Sequence, residues 1–99
     1  MAAVLPDVDI EEIGAISRRY GVARLEVFGS VVRGEAAVDS DIDLLYELLP
    51  GTRLGWDIES LADELAVVFG RPVDLVSRRA LNPRLREAVL AEARLLYAA

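Results

Sequence analysis

The chain has 99 residues, 54% of them hydrophobic and 28% charged, with four prolines; this makes one globular domain over residues 1–99 and excludes a disordered segment. It has no cysteine, no histidine and, among its eleven basic residues, no lysine, which removes disulfides, zinc–thiolate sites, imidazole bases, Schiff-base lysines and Walker-type phosphate lysines. A formal charge of −6 argues against general nucleic-acid binding and leaves carboxylates, hydroxyls, arginines and any metal they recruit as the chemical repertoire.

No apolar run approaches the roughly 20 residues that a membrane span needs. Met1 to Asp7 lacks the basic and apolar regions of a secretory signal, so a cytoplasmic protein with no membrane partner is expected. One small core leaves no length for a separate substrate-binding lid, so the second substrate is expected to arrive on another chain, in a homo- or hetero-oligomer.

In chain order, the first predicted element is a helix capped by Asp7 or Asp9. Ile10, Ile13, Ile16 or Ser17 and Tyr20 follow at helical spacing, Glu11 and Glu12 occupy the dipole-favoured first turn, and Gly21 stops it. Gly14 in its interior costs on the order of 1 kcal/mol relative to alanine, so it marks either close packing or tolerance. Val22 to Phe28 reads as a strand, with Ala23, Leu25 and Val27 on one face and Arg24 and Glu26 on the other. Gly29 ends it. A second strand runs from Asp41 to Leu48, before the turn at Pro50-Gly51.

Between Trp56 and Phe69 the residues Ile58, Leu61, Ala62, Leu65, Val68 and Phe69 keep a 3.6 period against Asp57, Glu59, Asp63 and Glu64. Gly70-Arg71-Pro72 terminates that helix, and Val73 to Ser77 gives a short third strand. A last helix starts at the cap Asn82 and Pro83, with a buried stripe of Leu85, Ala88, Val89, Ala93, Leu96 and Tyr97. The order α-β-β-α-β-α predicts an α/β (α+β) domain: a small mixed sheet of three or more strands with helices packed mainly on one face.

The chemistry concentrates between Gly29 and Leu44. On a strand, Asp41 and Asp43 point the same way while Ile42 and Leu44 face the core. Aspartate is depleted in strands, and two like charges on one face repel unless a cation neutralises them, so the pair reads as a metal site before it reads as a solvated face. Mg2+ suits it, being a hard ion that shares its shell between carboxylates and substrate phosphates. Asp74 is the one acid of the third strand. It is a third ligand if that strand lies beside the second, and an edge-strand charge otherwise.

Three carboxylates around one or two Mg2+ ions, two being expected, support in-line displacement at phosphorus, with Asp74 best placed to accept the attacking hydroxyl's proton. Gly29 and Ser30, with the amides after them, open a helical turn as a small nest for nucleotide phosphates. Arg33 on that turn either contacts phosphate or pairs with Glu35 or Asp39. Ser40 bonds the backbone where the strand begins or orients a carboxylate. Trp56 reads as packing at a helix start in preference to a base-stacking platform. Arg71, Arg78, Arg79, Arg84 and Arg86 read partly as solvated surface and otherwise as a cluster for phosphate or a partner's acids.

Gly29-Ser30, ten intervening residues and Asp41-Ile42-Asp43-Leu44 match the Gly-Ser…Asp-x-Asp signature. The chain thereby resembles the DNA polymerase β-like nucleotidyltransferase superfamily. With Arg33-Gly34, Val73-Asp74-Leu75-Val76 and the helix after Asn82-Pro83, it is similar over almost its whole length to the minimal nucleotidyltransferase branch. That resemblance implies the polymerase β-like fold, a triphosphate on Gly29 and Ser30, and metals on Asp41, Asp43 and Asp74. Val31 stands where many relatives carry arginine or an aromatic residue.

The same resemblance implies an antitoxin that neutralises a HEPN-domain toxin, a ribonuclease, by transferring AMP from ATP to a toxin tyrosine. Two other classes fit the residues: a non-catalytic antitoxin or nucleotide-binding module that acts by occlusion, and a nucleotidyltransferase acting on a small molecule.

Overall fold

A computed structural model describes residues 8–35 and 40–99. Asp7 and Asp39, offered above as a cap and as a partner of Arg33, lie outside these residues. The elements are α1 (Ile10–Arg19), β1 (Val22–Phe28), α2 (Ser30–Arg33), β2 (Ile42–Leu48), α3 (Asp57–Phe69), β3 (Val73–Ser77), a 3-10 turn (Arg78–Ala80), α4 (Pro83–Glu92) and β4 (Arg94–Ala98). The strands form one mixed sheet in the order β3-β2-β1-β4, with β1 antiparallel to both β2 and β4, and β2 parallel to β3. No helix among the described residues is long and apolar enough to cross a membrane.

Local chemistry sets the boundaries. The Asp9 carboxylate accepts the Glu12 N–H at 3.1 Å and starts α1, while Gly70, at φ 69, ends α3 in the left-handed region. Ile13 and Ile16 of α1 and Leu61 and Leu65 of α3 meet Leu25, Val27, Ile42 and Leu44 in one buried cluster, so both helices cover the same face of the sheet. Glu64 joins the two helices at their rim. It accepts hydrogen bonds from Arg19 Nη2 at 2.6 Å and from the Tyr20 hydroxyl.

The last helix is shorter than its sequence suggests. It starts as expected, with Asn82 Oδ1 accepting the Arg84 N–H at 2.9 Å, but at Ala93 the backbone turns extended and Arg94–Ala98 become β4. No residue of α4 is buried, so the predicted stripe through Leu85, Ala88 and Val89 is not there, and Ala93, Leu96 and Tyr97 do not belong to the helix. The cause is tertiary. Without β4 the outer edge of β1 would carry unpaired N–H and C=O groups, and β4 both pairs them and packs Leu96 and Tyr97 against the core.

Two smaller expectations also change. Trp56 does not pack: it is 90% exposed, because Leu54 and Ile58 on either side take the core positions. In β1 the pairing with β2 shifts between Val22 and Arg24, so Val22 joins Leu25 and Val27 in the core in place of Ala23. On the opposite face Glu26 is buried at 5% exposure across from Leu45, with the guanidinium groups of Arg24 and Arg78 at 3.3 and 3.7 Å.

Candidate active site

β1 hands the chain to a sharp turn. Gly29 has φ 85 and ψ −153, a region essentially reserved for glycine, and its carbonyl accepts the Val32 and Arg33 N–H groups to open α2 at Ser30. Gly34, left-handed at φ 74, closes that single turn. A β-carbon on Gly29 would lie 2.3 Å from Asp43 Oδ2. Close approach of the turn to an acid therefore requires glycine here.

The acids come from two neighbouring strands. Asp43 pairs with Phe28 across β1–β2 and with Asp74 across β2–β3. Residues paired across a ladder share a face, so Asp43 and Asp74 project to the same side of the sheet, away from the cluster that holds Ile42 and Leu44. β3 thus lies beside β2, at the edge of the sheet, with Asp74 on the face that carries Asp43. Asp41 stands one residue before β2 and is exposed.

Half-buried Asp43 has its carboxyl held above the ordinary carboxylate range, first by burial and then by the charges of Asp74 and Asp41; Arg33 pulls it down and Glu92 pushes it up. Such an excess of negative charge on all-oxygen donors is what a hard divalent cation relieves, so the residues fit Mg2+. Among the described residues no three such side chains are drawn into a ready ligand cluster. Asp41 and Asp74 are exposed and have room to turn toward an ion.

Arg33 pairs with Glu35, one of its expected partners, and also with an acid that the sequence did not point to. Its Nε donates to Glu35 at 2.9 Å, and its Nη1 donates to both carboxylate oxygens of Glu92 at 3.0 Å. Glu92 also accepts the Gly29 N–H at 2.8 Å. Sequence reasoning missed Glu92, which belongs to α4 and reaches the turn from 63 residues away. No local signal marks it, because the expected helix runs on to Tyr97 and leaves Glu92 in its interior.

The carbonyl of Ser40 accepts Arg71 Nε at 2.9 Å, and the Ile42 N–H donates to the Pro72 carbonyl at 2.8 Å. Arg71 thus ties the start of β2 to the chain before β3. Arg78 lies 3.7 Å from Glu26 and from Glu47, and Arg86 donates to the Arg78 carbonyl at 3.1 Å, so three of the five clustered arginines hold the fold. Val31 packs on the core.

Comparison with known proteins agrees with this arrangement. A family model described as a nucleotidyltransferase domain matches residues 11–96. A protein of Thermococcus cleftensis named protein adenylyltransferase MntA is 38% identical over 79 residues, covering 78% of this chain and 77% of its own. A solved structure provisionally described as a minimal nucleotidyltransferase superposes with a TM-score of 0.72 at 47% identity, over 86% of each chain. The fold is shared, at a TM-score of 0.64 and 23% identity over 91% of this chain and 70% of the other, with a chain from the structure of tri-AMPylated Shewanella oneidensis HEPN toxin in complex with MNT antitoxin. The family model spans the Gly29 turn and all three acids, and the chain belongs to the nucleotidyltransferase domain family, among the minimal nucleotidyltransferases.

Proposed function

We propose that this nucleotidyltransferase is the antitoxin of a toxin–antitoxin pair and transfers AMP from ATP to a tyrosine hydroxyl of a HEPN-type toxin. The observation that carries the reading is the register of β2 and β3, which sets Asp43 against Asp74 beside the Gly29-Ser30 turn. The adenylyltransferase name of the Thermococcus cleftensis relative, and the AMPylated HEPN toxin in the Shewanella oneidensis structure, support the choice of nucleotide and partner.

Asp41, Asp43 and Asp74 would hold Mg2+, which when bound neutralises phosphate charge and polarises the reacting phosphoryl group. The backbone N–H groups at Gly29 and Ser30 meet the triphosphate, and Arg33 adds a charge-assisted contact to it. The tyrosine oxygen attacks the α-phosphorus and forms the new P–O bond. The bond to the bridging oxygen on the β side breaks, pyrophosphate leaves, and the hydroxyl proton passes to Asp74, which is exposed on the same face of the sheet as Asp43. Positioning and charge supply the catalysis, and the partner brings its own hydroxyl to an open site.

The test is incubation of the chain with ATP, Mg2+ and a HEPN protein encoded beside it, followed by intact-mass measurement. A gain of one or more AMP units on the HEPN protein, lost with Asp43→Asn, is expected. An unmodified partner that is still neutralised by D43N would replace this reading with neutralisation by occlusion.

A further inference from the structure

The carboxylate of Glu92 sits where the proposed function puts a phosphate. It accepts the Gly29 N–H at 2.8 Å and takes Arg33 Nη1 on both oxygens at 3.0 Å, and a backbone N–H together with a guanidinium is the donor pair that recognises a phosphate oxygen. We infer that Glu92 is a built-in occupant of the nucleotide's phosphate position, a latch that ATP must displace before the site is competent; this rests on the adenylyltransferase reading above.

The element that carries the latch is suited to move. α4 spans the connection from β3 at one sheet edge to β4 at the other, and none of its residues is buried. Near its start Arg86 donates to the Arg78 carbonyl at 3.1 Å, and at its end Glu92 grips the Gly29 turn. When a phosphate takes the Gly29 N–H and Arg33, Glu92 must leave both, because two anions cannot share one donor set at hydrogen-bond distance. The end of α4 is then released. Nucleotide occupancy is in this way coupled to the freedom of a helix that carries an exposed Leu85, 57% accessible.

The measurement is calorimetric binding of a non-hydrolysable ATP analogue with Mg2+ to the full chain, its Glu92→Ala variant and its Glu92→Gln variant, with hydrogen exchange followed across residues 83–92. A protein whose competent state is scarce binds weakly in proportion, so Glu92→Ala is expected to bind about tenfold tighter than the parent, with Glu92→Gln in between because its amide oxygen still accepts the Gly29 N–H. The analogue should speed exchange in α4 of the parent and leave α4 of Glu92→Ala, already loosened, unchanged. A merely structural role for Glu92 predicts a lower Tm with no gain in affinity. Equal or weaker binding by both variants, or slower α4 exchange on adding the analogue to the parent, overturns the latch and leaves the adenylyltransferase reading standing. Binding by Glu92→Ala alone supports the latch in its strongest form, and no binding by any of the three removes both.

Discussion

Gly29 and Asp43 are packed so closely that the glycine has no space for a side chain: an added β-carbon would meet Asp43 Oδ2 at 2.3 Å. The turn proposed to meet the phosphates and the acid proposed to hold the metal are thus one packed unit. Gly29→Ala is expected to abolish adenylyl transfer, because the backbone at φ 85 must change or Asp43 must move. A side chain in that region costs of order 1–3 kcal/mol. Thermal unfolding should show a Tm lower by about 5 °C or more with native-like circular dichroism at room temperature. An active, equally stable alanine variant would sink the account of the turn.

Asp43 is half-buried and also faces Asp74, and the fold tolerates both at a cost in stability. Its carboxyl titrates above the ordinary carboxylate range, so between the ordinary value and the raised one the folded chain holds more proton than the unfolded chain. Stability from this group therefore falls as pH rises through that window and stays lower at neutral pH. In metal-free buffer at pH 7, Asp43→Asn should raise Tm by about 2–5 °C while lowering transfer by on the order of a hundredfold or more. Added Mg2+ should stabilise the parent and not the variant. A variant that melts below the parent would show that neither burial of the Asp43 charge nor its repulsion from Asp74 costs the fold stability.

Much of this was legible from the chain, for reasons that differ by element. α3 and the first three strands follow from periodicity bounded by Gly21, Gly29, Gly70 and Pro72, where backbone chemistry leaves few alternatives. Asp43 and Asp74 were legible because acids are out of place in strands. β4 was not: Leu95-Leu96-Tyr97 fits a helical and an extended pattern equally, and only the unpaired edge of β1, a non-local demand, decides between them. Glu92 was illegible for the same reason, since its partners Gly29 and Arg33 are 63 and 59 residues away. The exposure of Trp56 depends on Leu54 and Ile58 winning the same core positions, which local spacing does not reveal.

Glu64 gives a pH dependence of the opposite sign to that of Asp43. Hydrogen bonds from Arg19 and then Tyr20 hold its carboxyl below the ordinary range, so its contribution is present above that range and is lost as pH falls through the lowered value. Glu64→Gln should lower Tm at pH 7 and reduce the loss of stability on acidification, measured as Tm between pH 7 and pH 3. Because the pair is exposed the effect should be small and should shrink in high salt. A variant whose acid limb is unchanged would mean that the contact between α1 and α3 carries no net stability.

Gly14 tests both the helix and the strand that sequence reasoning missed. It is buried on α1, and an added β-carbon would meet the Tyr97 ring at 3.6 Å and the Arg18 guanidinium at 3.4 Å, ordinary van der Waals distances. The glycine is therefore tolerated and not demanded by packing. Gly14→Ala removes the glycine penalty in a helix interior, about 1 kcal/mol, and should raise Tm by about 4–8 °C in a domain of this size. The gain depends on Tyr97 sitting in β4 at the observed distance. If Tyr97 instead continued the last helix, the alanine would lack this neighbour and Tyr97→Ala would leave the effect of Gly14→Ala unchanged. In the observed fold the two substitutions touch, so a double-mutant cycle on Tm should return a coupling of about 0.5 kcal/mol or more, and strict additivity would contradict the placement of β4 against α1.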